Sequence, residues 1–167
     1  MFKKQGVAWG LTALMIVAAI GIGYAKAPVS GPTPEETPQP YVRDDAGVLS
    51  YNTLTQLTQR NQRLYDKYGV VIGVVTCNYG RDDLYNYALK QAENMDLRDS
   101  DFIVVLDIRG DNYWLLQGAD LVDIFTDEDC SDYAWDYMEQ AFAGGDYDSA
   151  VLKLTQALEN WYGSYFR

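Results

Sequence analysis

Histidine is absent from this 167-residue chain. No Ser-His-Asp or Cys-His relay, histidine-ligated zinc, histidine-bound haem or imidazole pH switch can be built from it. Cysteine is scarce, with Cys77 and Cys130 alone, too few for a four-cysteine zinc or iron–sulfur site. Proline is missing from the whole stretch after Pro40. Any chemistry must therefore rest on carboxylates, arginine, tyrosine, hydroxyls, backbone amides or a hard metal ion. Positive charge is also in short supply: the formal net charge is −11. It is unevenly spread. Residues 1–40 carry Lys3, Lys4 and Lys26 against Glu35 and Glu36, while residues 41–167 hold ten Lys/Arg and twenty-two Asp/Glu, a net −12. A field of that sign repels nucleic acid and anionic membrane surfaces and suits cationic partners or divalent cations. No nucleic-acid binding is expected.

Three segments are legible. In 1–27, a short basic start containing Lys3 and Lys4 precedes the uncharged residues Gly6 to Ala25. As a helix rising about 1.5 Å per residue, that run spans roughly 30 Å, the thickness of a bilayer's hydrocarbon core. It reads as a single-pass membrane anchor or as a signal peptide cleaved near Ala25-Lys26-Ala27. Pro28 directly after that site is a poor fit to a protease reading an extended backbone, which favours the anchor. Either way the rest of the chain lies on the extracytoplasmic side, tethered to the cell membrane or, after cleavage, secreted. Residues 28–40 hold all five prolines and read as a semi-rigid linker.

Residues 41–167 read as one globular domain. Ser50 caps a helix carrying Leu54, Leu57, Leu64, Tyr65 and Tyr68 at helical spacing, and Gly69 ends it. The β-branched run Val70 to Thr76 reads as a buried strand. Asp82 or Asp83 caps a second helix, and Phe102 to Leu106 forms another buried strand that turns at Gly110-Asp111-Asn112 into a hairpin. Thr126 caps a third helix with Cys130, Ala134, Tyr137, Met138 and Ala141 inward, stopped at Gly144-Gly145. Asp146 opens the last helix, with Ala150, Val151, Leu154, Ala157, Leu158 and Trp161 inward. The order βαβαββαα predicts an α/β, three-layer α/β/α sandwich around a mostly parallel four-stranded sheet, preceded by the N-terminal transmembrane helix.

Val42-Arg43-Asp44-Asp45-Ala46-Gly47-Val48-Leu49-Ser50 resembles the opening V-x-D-x-A-G-x-L-S signature of the TPM domain family. Further landmarks follow in the family's order: Val74-Val75-Thr76 leading to Asp83-Leu84-Tyr85-Asn86-Tyr87-Ala88, then Arg109, Leu116-Gln117-Gly118 with Leu121, and Phe142-Ala143-Gly144-Gly145-Asp146-Tyr147. Asp101 and Asp120 stand where the family usually has glycine, positions where Asp could hold a left-handed turn. The resemblance implies a small α/β sandwich, usually membrane-tethered and extracytoplasmic in bacteria. It also implies either an accessory role toward receptors or an acid-phosphatase-like activity, and it associates calcium with some members.

In a parallel α/β sheet, ligands sit beyond the carboxyl ends of the strands. Three loops should meet there: Asp44-Asp45, Asn78 to Asp83, and Asp107-Ile108-Arg109. Asp44, Asp82, Asp83 and Asp107 are the candidate oxygen ligands for Ca²⁺ or Mg²⁺. The same carboxylates can equally serve as helix caps, turn caps or ion-pair partners. For a cation-assisted phosphatase-like hydrolase, Asp44 would be nucleophile or metal ligand, and Arg109, with Arg81, would clamp the phosphate. The rival reading is an accessory module for membrane or envelope proteins, in keeping with the anchor, the spacer and the aromatic content. Cys77 and Cys130 are open to pairing as a disulfide or to separate places in the core.

Overall fold

Runs of β-branched residues form the two central strands of the sheet, because such side chains pack well on a pleated surface buried on both faces. The computed structural model describes residues 41–166. The sheet has four strands in the order β1 (Val42–Asp44), β2 (Ile72–Cys77), β3 (Phe102–Asp107) and β4 (Asn112–Gln117). The first three are parallel, and β4 runs antiparallel to β3 across the expected tight turn. Every residue of β2 and β3 is buried.

Helices cover both faces. α1 (Tyr51–Tyr68) follows β1 and α2 (Leu84–Asn94) follows β2. α3 (Asp127–Ala134) continues through a π-helical stretch, Trp135–Glu139, into α4 (Gln140–Ala143), and α5 (Tyr147–Tyr165) closes the domain. One core lies between the sheet and α1, α3 and α5, and includes Leu57, Phe102, Val104, Cys130, Leu154 and Tyr162. The other lies under α2 and includes Val75, Cys77, Leu84, Ala88, Ile103 and Leu116. The predicted caps are in place at Ser50, Thr126 and Asp146, and Gly69 closes α1.

Several side chains depart from the simple periodic reading. Tyr65 is 52 % exposed, because the inward face of α1 is completed by the polar pair Arg60 and Asn61 instead. Asn61 exchanges two hydrogen bonds with the Ile72 backbone, at 2.8 and 2.9 Å, and so finishes the start of β2. Arg60 is buried against α5, donating to Glu159 at 2.9 Å and to Thr155. Tyr137 also faces solvent, since the wider π turn carries it off the inward stripe that keeps Met138 buried. Asp101 is not in a left-handed turn. Its carboxylate is buried and accepts the Val71 and Arg98 amides at 2.8 Å each, tying the loop before β3 to the start of β2. Beside it, Gly118 packs so tightly that a Cβ there would stand 2.3 Å from the Asp99 carbonyl oxygen.

The apolar run 6–25, the cleavage site and the linker 28–40 lie outside the described residues. Among the described residues no helix is long and apolar enough to cross a membrane.

Candidate functional site

The loops beyond the carboxyl ends of β1, β2 and β3 do meet. Asp45 N donates to Thr76 O, and Ile108 N donates to Cys77 O. The carboxylates on these loops are engaged by the main chain. Asp44 Oδ1 accepts from Val48 N and Oδ2 from Leu49 N, both at 3.0 Å, and the Thr76 hydroxyl donates to Oδ1 as well. Asp44 thus closes the turn that leads into α1, the role that the D-x-A-G-x-L-S stretch needs of it. Asp107, fully buried, accepts Gly80 N at 2.7 Å and Gly110 N at 3.1 Å.

Asp82 and Asp83 are exposed. Asp83 occupies the N-cap position of α2 without a side-chain capping bond, and accepts instead from the Tyr79 hydroxyl at 2.5 Å. That bond holds the Tyr79 phenol above its ordinary pKa. Arg81 lies over the Tyr79 ring, 5.5 Å from its centroid. Arg109 makes no ion pair with Asp107. Its stem packs on Gly80, whose left-handed backbone (φ 62°) lets the loop pass where a Cβ would meet Arg109 Cδ at 3.1 Å.

These residues fit a cation poorly. Two of the four candidate ligands have their oxygens turned to backbone amides, and a hard divalent ion wants several free oxygens at once. Among the described residues no three His, Cys, Asp or Glu side chains converge as an ion's ligands. The same count weighs on catalysis, because a carboxylate acting as nucleophile or base needs an oxygen facing substrate. Two contributors escaped the sequence reading: Thr76, which serves both Asp44 and the Ala46 amide, and Gly80. The only sequence sign of either is its place at the carboxyl end of β2, Thr76 as its next-to-last residue and Gly80 in the loop that follows.

The cysteines are free and sit in different cores on opposite faces of the sheet. Burial raises the Cys77 thiol pKa, with Asp107 adding to the effect. Burial, reinforced by Asp127, pushes Cys130 up to about 12. Both shifts favour the protonated thiol near neutral pH and weigh against a thiolate nucleophile.

A second surface lies along β4. Trp114 and Leu89 are 40 % and 41 % exposed, and Trp135 is 67 % exposed. They border a groove of about 500 Å³ between α2 and α3. The chain around it is one-signed: from Gly110 to Leu152 it carries eleven Asp and Glu and no Lys or Arg. The outermost place of β4 in the sheet leaves Trp114 open.

Solved structures share this architecture. The chain is similar to the N-terminal domain of a protein from P. gingivalis, at 22 % identity over 73 % of this chain and 81 % of that one, with a TM-score of 0.66. It is similar to the N-terminal domain of a Corynebacterium glutamicum protein at 19 % identity, over 72 % and 78 % of the two chains, TM-score 0.55. A protein of the psychrophilic bacterium Bizionia argentinensis matches at 10 % identity, over 70 % and 83 %, TM-score 0.60. At such identities the likeness speaks for the fold. No curated protein matches the chain. The family model described as the TPM domain matches residues 42–160, which takes in the D-x-A-G-x-L-S turn around Asp44 and most of the last helix. The chain belongs to the TPM domain family.

Proposed function

We propose that this TPM domain is a membrane-tethered, extracytoplasmic interaction module that acts on membrane or envelope proteins. The observation that carries the reading is the contrast between its two surfaces. At the carboxyl edge of the sheet, Asp44 and Asp107 are committed to holding loops together. Along β4, indole and aliphatic surface stands exposed beside a base-free acidic segment. Exposed aromatics of this kind are enriched at protein interfaces, and the acidic field steers a cationic partner. The basic start at Lys3-Lys4, the uncharged run Gly6 to Ala25 and the proline spacer supply a tether of the right length and polarity.

The test sets this reading against hydrolysis. Phosphomonoester turnover is measured with the full chain, with and without Ca²⁺ or Mg²⁺, beside Asp44→Asn and Arg109→Ala. The interaction module predicts no turnover above buffer in any arm. Turnover that either substitution abolishes would replace it with the phosphatase-like hydrolase.

A further inference from the structure

β4 is an edge strand, and the phase of its hydrogen bonds is fixed. Gly118 N donates to Asp101 O, and the register pairs Leu116 with Ile103, Trp114 with Val105 and Asn112 with Asp107. Bonded and non-bonded pairs alternate along an antiparallel ladder. Residues 112, 114 and 116 therefore bond to β3, whereas Tyr113, Leu115 and Gln117 turn their amides and carbonyls to the open rim. Tyr113 N meets the side-chain oxygen of its neighbour Asn112 at 2.8 Å, a local substitute for a strand partner. Such a rim is a template for another strand.

The two sides of the rim differ. On the α2 side, Trp114 packs edge-on against Tyr85 with ring centroids 5.8 Å apart, and Leu89 extends the apolar wall. On the α3 side stand Ser131, Trp135 and Asp127, the last accepting from the Gln117 side chain at 2.8 Å. A strand laid on β4 would send alternate side chains to these two walls.

We propose that β4 accepts an added strand from a partner protein, an extended segment in which apolar and basic residues alternate. Its apolar side chains lie toward Tyr85, Leu89 and Trp114, and its basic ones toward Asp127 and the carboxylates around α3. This rests on the interaction-module reading and names the site and the partner's chemistry. Charge complementarity selects the occupant. A second copy of the chain would place two base-free acidic segments edge to edge, and like charges there repel.

The probe is a short synthetic peptide alternating valine and lysine, titrated into the solubilised full chain. Binding is followed by tryptophan fluorescence and by amide hydrogen exchange. The expected result is saturable binding with slowed exchange at Tyr113, Leu115 and Gln117. Affinity should fall about tenfold or more in Trp114→Ala, which removes the aromatic anchor of the apolar wall. It should fall at least as far when the peptide is N-methylated on alternate amides, which keeps its charge and removes pairing. Equal affinity for the N-methylated peptide, or unchanged exchange at the three amides, would overturn strand addition in favour of bare charge attraction. If no peptide binds while position 135 still cross-links to an envelope protein, the strand proposal fails and the interaction module stands. If neither occurs, both fail.

Discussion

Gly80 donates its main-chain amide to Asp107 Oδ2 at 2.7 Å, across twenty-seven residues of sequence. With Gly110 N on the other oxygen at 3.1 Å, one buried carboxylate holds both the loop after β2 and the turn after β3. An acid at the carboxyl end of a central strand is where catalysis is usually sought, and here it is a structural staple.

Removing that staple should cost stability. Asp107→Ala strands two amides, each worth about 1–3 kcal/mol when left unmet, so a loss of about 2–6 kcal/mol in urea unfolding is expected. Asp107→Asn keeps one acceptor and should lose less. A change within experimental error for the alanine variant would contradict the assignment.

Millimolar Ca²⁺ should leave the melting temperature of the full chain unmoved, because an ion that bound only the folded state would raise it by mass action. A calcium-dependent rise that disappears in Asp44→Asn would mean that Asp44 gives up its amide bonds to ligate metal.

Both thiols should resist modification near neutral pH in the native chain and react fully in urea. The raised pKa values of Cys77 and Cys130 keep the nucleophilic thiolate scarce, and burial blocks access. Rapid native labelling of either would contradict the buried placement.

Acid should loosen the start of α3. The Thr126 amide and hydroxyl hold the Asp129 carboxyl below its ordinary value of 3.8, and Ser149 does the same for Asp146 at α5. A carboxylate whose pKa is depressed by folding contributes stability that is present above its unfolded pKa and lost as pH falls through the folded one. The unfolding midpoint should therefore drop below about pH 4, and Asp129→Asn should shallow that drop. An identical acid limb in wild type and variant would remove Asp129 from the account.

Much of this fold is legible from residue order. The β-branched runs of β2 and β3 and the caps at Ser50, Thr126 and Asp146 are local signals, and the structure realises them. The candidate site is harder because the fate of a carboxylate is set by what faces it. Nothing near Asp107 in sequence announces Gly80, and nothing near Asp101 announces the Val71 amide. Likewise the exposure of Trp114 follows from β4 having no neighbour on its outer side, a fact of strand order rather than of composition.

The central claim is that the β4 groove meets an envelope protein. The direct measurement places a photo-crosslinking residue at Trp135 in the native full chain, with the same residue at Tyr51, 73 % exposed on α1, as the control. The account predicts discrete adducts from position 135 and none from position 51 after irradiation of intact envelopes. No adduct at 135, or the same pattern from both positions, would contradict it.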